Sequence, residues 1–273
     1  MSRRGWGDRV FVVPRRWLLV GIIVAELAAL FLLLDGNGWV RDDNYVMIAE
    51  GHLRFGWGWL TTVFFGHWGV SYNVVVAAVH KLMPLDNRWA LGAMLLVLGA
   101  SIYLMERIVR LLFGRPWLAL VVAAYFGFSV LFVEPLQWWA GGLQYLPNTF
   151  CDLLCLYAYL RFQRDHAARW VVVGAGALAV GLSFYEKPAY MLVYLLLLRV
   201  LLQTGELRPR SILRELWSER IYWIAIVAVV GVWAVIYWRV GGGPGSSRHL
   251  PLSEYLSYFR LLWLNALVPS MFG

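Results

Sequence analysis

Two adjacent aspartates follow the first long apolar segment of the chain, and their type and spacing allow two kinds of chemistry. Asp42 and Asp43 stand in the stretch WVRDDNYVMIAEGH, eight and nine residues after Leu34. Neighbouring carboxylates disfavour double ionisation, so one member of such a pair can serve as a general base. Their oxygens also suit a divalent cation. A solvated loop without a ligand is the third interpretation of this pair.

The composition predicts that these carboxylates belong to a membrane protein. The chain has 273 residues, of which 61% are hydrophobic and 15% charged, and its mean hydropathy is +0.64. A soluble domain carries about a quarter charged residues. The 16 tryptophans and 14 tyrosines fit belts at the membrane–water interfaces. The net charge of +8 comes from basic residues dispersed between apolar segments, which argues against nucleic-acid binding.

The apolar runs predict an all-α fold, a polytopic transmembrane helical bundle with about seven spans. In lipid every backbone polar group needs an internal partner, so each span is expected to be a helix. The predicted spans are residues 17–34, 89–105, 117–133, 143–160, 170–185, 188–202 and 221–238. Residues 1–273 are thus expected to form a single transmembrane domain, with six spans within residues 89–238 after the first.

The arginine distribution predicts the orientation of this bundle. The basic residues 1–16 are expected on the cytoplasmic side, followed by an uncleaved signal anchor. Seven spans then place the loops around 106–116, 161–169 and 203–220 on the same side. With Arg199 included, these regions hold 16 of the 24 lysines and arginines, as the positive-inside rule requires. We therefore expect a multi-pass protein of the cell (plasma) membrane.

Two outer regions are expected outside the spans. Residues 35–88 are predicted to form one long loop with helices that lie along the membrane surface. The stretch WGVSYNVVVAAV within it has only 12 residues, too short for a span. Residues 239–273 form a second outer segment that begins with the flexible linker GGGPGSS. Because the chain ends at LVPSMFG without a polar tail, we expect further spans in a longer protein.

A polar outer loop, EPLQWWAGGLQYLPN, leads into the fourth predicted span and carries candidate ligands for a sugar. Tryptophan flanked by acid and amide groups can stack on a sugar ring and bond its hydroxyls, although an interfacial tryptophan belt without a ligand fits equally well. The candidates are Glu134, Gln137, Trp138 and Gln144, with Asp152 about halfway along the span that follows. An ionisable group at that depth is costly and needs a reason.

The remaining polar candidates lie near the same predicted face. Glu186 and Lys187, in the turn SFYEKPAY, either neutralise each other or leave the lysine to meet an anionic phosphate. His67 lies in the long outer loop. Glu26, midway along the first span, is expected to pair with a neighbouring helix or to stay neutral. Convergence of the outer groups on one face is what an active site at the outer leaflet needs.

Taken together, this pattern resembles the GT-C superfamily of membrane glycosyltransferases, of the protein O-mannosyltransferase and lipid A aminoarabinose transferase type. The stretch WVRDDNYVMIAEG occupies the place of the acidic-pair motif of that family, with Tyr45 where an aromatic residue often follows. RIVRLLFGRP resembles its basic inner turn, LQYLPNTFCDLL its second outer motif, and YEKPAY a lysine-containing turn. The lysine turn lacks a glycine and the second loop lacks a doubled acid, and the length fits an N-terminal core or fragment.

The resemblance implies transfer of a sugar, with inversion, from a polyprenyl-phosphate donor to a glycan, lipid or protein acceptor on the outer face. Asp42 or Asp43 would act as the general base, and Arg41, Lys187 or Arg248 would meet the phosphate. The other expected substrate-binding residues are Tyr45, His67, Glu134, Gln137, Trp138, Gln144, Asp152 and Glu186. No metal is required, although a divalent cation on the acidic pair is an alternative. A transporter or flippase of lipid-linked glycans, without bond chemistry, is the competing interpretation.

Overall fold

The computed structural model describes residues 14–38, 58, 63–64, 67–82, 87–202 and 209–240. Within them the chain forms ten α-helices and one hairpin of two-residue strands, which confirms the all-α class. The helices are α1 (Arg15–Leu34), α2 (Val70–Leu82), α3 (Asn87–Phe113), α4 (Pro116–Gly127), α5 (Val133–Gln137), α6 (Trp139–Asp165), α7 (Ala168–Phe184), α8 (Met191–Leu201), α9 (Pro209–Ser218) and α10 (Arg220–Val240). The antiparallel strands are β1 (Val63–Phe64) and β2 (His67–Trp68), and short 3-10 turns occupy Val130–Phe132 and Lys187–Tyr190.

The predicted number of spans is wrong. Among the described helices, α1, α3 and α10 are long and apolar enough to cross a membrane. Helix α4 and the segment Val130–Gln137 add a fourth if they count together, although they meet at a bend of 42°. Helices α7 and α8, with 17 and 11 residues, are shorter than the roughly 20 residues that a hydrocarbon core requires. Helix α6 has 27 residues and is long enough, but its sequence is too polar for it to count as a membrane-spanning helix.

The stretch WGVSYNVVVAAV, expected to be too short for a span, forms most of α2. The helix has 13 residues and buries Tyr72 and Val76 against the bundle, so the interval is helical and shorter than a span. The residue before α2, Gly69, lies in close contact with the end of α7. A Cβ on Gly69 would lie 2.8 Å from the carbonyl oxygen of Phe184. This close approach brings β2 beside the turn that follows α7.

The core consists of two main apolar clusters that share helix α6. Leu98 of α3 and Leu143 of α6 belong to the first cluster, and Leu178 of α7 and Tyr222 of α10 belong to the second. Helix α6 packs most extensively against α7 and α3. It is therefore the central element that relates the two halves of the bundle.

One end of the bundle is rich in arginine, and we call it the basic end. Here Arg15 of α1 forms an ion pair with the buried Glu106 of α3, and Arg164 of α6 donates a hydrogen bond to the carbonyl of Leu111. Arg199 of α8 joins the start of α10 at the same end. The loops for which the arginine count predicts the cytoplasmic side thus lie together, and the predicted outer residues that the structure describes lie toward the opposite end.

Candidate functional site

The turn after α7, residues Tyr185, Glu186 and Lys187, is the centre of the candidate site, and we call it the polar turn. Tyr185 has an extended backbone that ends α7, and a 3-10 turn begins at Lys187. Tyr185 is consequently buried, Glu186 half-buried and Lys187 exposed. Burial, followed by the charge of Glu186, raises the pKa of Tyr185 to about 12, so its phenol stays neutral.

Glu186 is paired with a histidine from the hairpin. Its Oε1 lies 2.7 Å from Nδ1 of His67, and beside this contact the hydroxyls of Ser71 and Ser183 lie 2.6 Å apart. The histidine ring also lies against Tyr185, with 4.7 Å between ring centroids. A carboxylate that accepts a hydrogen bond from Nδ1 leaves Nε2 of a neutral imidazole as the proton acceptor.

This contact gives Glu186 a partner other than Lys187. Because Glu186 bonds to His67, the lysine is left without a carboxylate partner among the described residues. Its Nζ lies 4.5 Å from the ring centroid of Tyr145 and 5.3 Å from that of Tyr185. Such cation–π contacts hold an ammonium group while leaving its charge available to an anion.

Two cavities are lined by residues that adjoin the polar turn. The first, which we call the mixed pocket, has a volume of about 230 Å³ and contains polar and apolar groups in similar amounts. It is lined by Leu131, Glu134, Pro135, Trp138 and Tyr145. Tyr145 is also the ring under Lys187, so the lysine adjoins this pocket.

The second cavity, the apolar groove, runs between α7 and α10 and has a volume of about 360 Å³. Its walls are almost wholly apolar and include Leu182, Val232 and Ile236. Trp68 and Ser183 close the groove at the polar turn, where His67 and the Ser71–Ser183 contact lie. The polar turn therefore adjoins both an apolar groove and a pocket of mixed polarity.

The structure brings together five of the residues predicted for the site. His67, Glu186 and Lys187 meet at the polar turn, and Glu134 and Trp138 share the mixed pocket. The five predicted residues Arg41, Asp42, Asp43, Tyr45 and Arg248 lie outside the residues that the structure describes.

Three predicted residues lie apart from this group. Gln137 lines a small separate cleft together with Asn37 and Asn87. Gln144 is half-buried on α6 and lines neither the mixed pocket nor the apolar groove. Asp152 lies deeper along α6, where its Oδ1 is buried without a hydrogen-bond partner among the described residues.

Two aromatic residues of the site were missed by the sequence reasoning. Tyr145 lies within the loop EPLQWWAGGLQYLPN, and Tyr185 directly precedes Glu186. Their rings lie 6.0 Å apart and support Lys187 together. Each tyrosine stands among polar residues in its motif, and this was the available sequence signal. The contact between the two rings, however, depends on how α6 packs against α7.

The described residues contain no group of three or more His, Cys, Asp or Glu side chains that could hold a metal ion. No protein-family model, no curated protein and no solved structure matches this chain. The part of the chain that the structure describes is thus all-α, with three or four helices long and apolar enough to span a membrane and a polar cluster at one end of the bundle.

Proposed function

We propose that the chain is a membrane glycosyltransferase that transfers a sugar from a polyprenyl-phosphate donor to an acceptor at the outer face of the plasma membrane. The observation that carries this proposal is the order of three environments: the apolar groove, the cationic Lys187 and the mixed pocket. A lipid-linked sugar has the same order of isoprenoid, phosphate and sugar. The proposal includes a multi-pass topology with a cytoplasmic N-terminus.

The groove and the lysine suit the two ends of a lipid phosphate. An apolar channel between α7 and α10 can hold an isoprenoid chain, because its walls present almost no polar group that the chain would leave without a partner. Lys187 is a compact point charge of the kind that binds phosphate. Since Glu186 is occupied by His67, no neighbouring carboxylate competes for the lysine among the described residues. Arg41 and Arg248 are proposed as further phosphate ligands.

The mixed pocket suits the sugar. Trp138 and Tyr145 offer aromatic faces, and Glu134 offers an acceptor for hydroxyl groups. Its volume of about 230 Å³ lies a little below the ordinary range of small-molecule sites, as expected for a site that takes one sugar ring and not a whole donor. Asp152 is proposed to act from below, through its buried unpartnered oxygen.

The reaction needs one proton acceptor. The acceptor hydroxyl attacks the anomeric carbon, the bond from that carbon to the phosphate oxygen breaks, and the polyprenyl phosphate leaves with the electron pair. A carboxylate takes the hydroxyl proton, and we assign this role to Asp42 or Asp43, with the other aspartate orienting the base or the substrate. The acceptor is a glycan, a lipid or a protein, and a divalent cation on the acidic pair is the alternative role for these residues.

A transporter or flippase of lipid-linked glycans is the second candidate. The bend of 42° between α4 and the segment Val130–Gln137 favours it, because broken helices are typical of transporters. The same groove and lysine would then hold the lipid without bond chemistry. Transfer of sugar between labelled molecules distinguishes the two functions.

The two lysines of the chain provide a matched test. The full chain in membranes is supplied with a panel of labelled polyprenyl-phosphate sugars, and donor binding and sugar transfer are measured separately. Lys187→Met is expected to lower donor binding at least tenfold, whereas Lys81→Met, an exposed position on α2, is expected to have no effect. Asp42→Asn or Asp43→Asn is expected to abolish transfer and retain binding. Equal binding by both lysine variants contradicts the phosphate assignment, and binding without any transfer by the wild type favours the flippase.

A further inference from the structure

A second polar site lies inside the bundle, where α1 meets the end of α4. Glu26 is fully buried at 0% exposure, and neither carboxyl oxygen has a hydrogen-bond partner among the described residues. It follows Arg15 by 11 residues of continuous helix, which separates it from the basic end by about 16 Å. An ionised carboxylate without a partner in such surroundings is strongly disfavoured.

Gly127, the last residue of α4, provides the space for this side chain. A Cβ at position 127 would overlap the Glu26 carboxyl group and would lie 2.8 Å from Cδ1 of Ile102. The glycine is therefore required by contact with the acid, and the carboxyl group lies directly against the backbone where α4 ends.

The break after α4 leaves backbone carbonyl acceptors at this position. The Ser129 amide bonds to the Phe126 carbonyl, and the Leu131 amide bonds to the Ser129 hydroxyl. These amides would otherwise continue the helical pattern to the carbonyls of Tyr125 and Gly127. The C-terminal end of a helix also carries partial negative charge. A carboxylate here would face like charge, whereas a carboxylic acid would have an acceptor for its proton.

We propose that Glu26 is a proton-binding site. Its carboxyl group carries a proton at neutral pH and donates a hydrogen bond to a backbone carbonyl left without a helical partner by the break after α4. Three helices pack around it, and Ile102 of α3 and Gly127 of α4 face it. No charged side chain of α3, α4 or α5 forms an ion pair with it among the described residues. The acid of α3 at the basic end, Glu106, is paired with Arg15, and the acid of α5, Glu134, lies at the mixed pocket.

The site lies at the base of the bend that positions the mixed pocket. The segment after the break carries Leu131, Glu134 and Pro135 into that pocket. Loss of the proton would push the carboxylate away from the end of α4 and change the bend, so proton binding regulates the shape of the pocket. This consequence rests on the proposed function, whereas the proton site itself does not.

Infrared difference spectroscopy of the full chain in lipid nanodiscs tests the proton directly. We expect a carboxylic-acid carbonyl band at neutral pH that shifts on ¹³C-glutamate labelling, disappears in Glu26→Gln and persists in the control Asp152→Asn. Gly127→Ala is expected to shift the same band, because the methyl group displaces the acid. A wild type without a glutamic-acid band at neutral pH overturns the proposal, whether or not Glu26→Gln folds.

A metal cation is the competing occupant and gives a different result. Carboxylate bands alone, with a thermal stability that rises in sodium chloride but not in choline chloride and loses this response in Glu26→Gln, would overturn the proton assignment. Persistence of the acid band in Glu26→Gln would also overturn it, because the proton would then belong to another carboxyl group. None of these readouts depends on sugar transfer, so failure here leaves the proposed function to its own test.

Discussion

Removal of the Glu219 carboxylate is predicted to destabilise the basic end. Glu219 is 4% exposed, between α9 and α10. Its Oε2 accepts hydrogen bonds from the Tyr159 hydroxyl at 2.9 Å and from Nε1 of Trp223 at 3.3 Å, and its Oε1 lies 3.2 Å from Nε of Arg199. One carboxylate thus connects α6, α8 and α10.

The size of the effect follows from what Glu219→Ala leaves behind. Removing one partner of a buried ion pair costs about 3–5 kcal/mol, because the other charge stays buried. Arg199 keeps a second partner, since its Nη2 lies 2.7 Å from Oε2 of Glu215. We therefore expect the free energy of unfolding to fall by about 2–4 kcal/mol, part of it from the unpaired Tyr159 hydroxyl.

Glu215→Ala is the matched control, because it removes the other carboxylate from the same arginine. Its side chain is 34% exposed, so its pair resembles a surface salt bridge of about 1 kcal/mol or less. Both variants are compared with wild type in one lipid bicelle system, with the unfolding free energy measured by steric trapping. Equal losses in the two variants, or a loss below about 1 kcal/mol for Glu219→Ala, would refute the argument that burial determines the value of this pair.

Three further predictions concern packing, the polar turn and pH. Gly142→Ala should lower the unfolding free energy by about 1–3 kcal/mol because its Cβ would overlap the Pro135 carbonyl, whereas Gly92→Ala, with open space at its Cβ, should raise it by up to about 1 kcal/mol. A double-mutant cycle of His67→Gln and Glu186→Gln should give a coupling of about 1 kcal/mol, and a coupling near zero would contradict the observed contact. Although desolvation opposes them, hydrogen bonds from Trp170, the Ala167 amide and Arg161 hold the pKa of Asp165 below its ordinary value of 3.8. Its carboxylate should thus stabilise the fold above that pH and lose this effect as the pH falls further, so the melting temperatures of wild type and Asp165→Asn should converge in acid.

Hydropathy predicted the lipid-length helices well and the remaining helices poorly. Helix α1 begins two residues before the predicted start and ends at the predicted residue, Leu34. Helices α3 and α10 enclose their predicted spans, 89–105 and 221–238. The span predicted at 188–202 is shorter in the structure, because its first residues form a 3-10 turn and only Met191–Leu201 is α-helical.

The break in the span predicted at 117–133 could not be found from hydropathy. Val130 and Leu131 continue the apolar character of α4, yet the helix ends at Gly127. Ser129 caps the next turn by accepting a hydrogen bond from Leu131, and Gly127 leaves room for Glu26. A glycine and a serine inside an apolar run are weak local signals, and the acid that occupies the space lies about a hundred residues earlier in the sequence.

Five of the thirteen residues predicted for the site lie together in the structure, and the contacts between them were not predicted. Glu186 and Lys187 are neighbours of opposite charge, and the sequence left open whether they neutralise each other or leave the lysine for an anionic phosphate. In the structure the Glu186 carboxylate contacts His67, which is 119 residues away in the sequence. The Lys187 ammonium lies over the ring of Tyr145. These contacts depend on how β2 packs against α7 and how α6 packs against the polar turn. Local sequence patterns do not predict packing of this kind.

The failure of α6 as a predicted span has a physical explanation that bears on function. The most apolar stretches of α1 and α10 are only 22% and 11% buried among the described residues, against 56% for α3, so high hydropathy is found mainly in the helices with the most exposed surface. Helix α6 packs against neighbours on several sides and can therefore carry a buried polar group such as Asn148. With 27 residues it is about 40 Å long, and it carries Tyr145 at one end and Tyr159 near the other. Helix α6 supplies side chains both to the candidate site and to the buried Glu219–Arg199 pair. The polar residues that these roles require lower its hydropathy, so hydropathy alone does not identify it as a long helix.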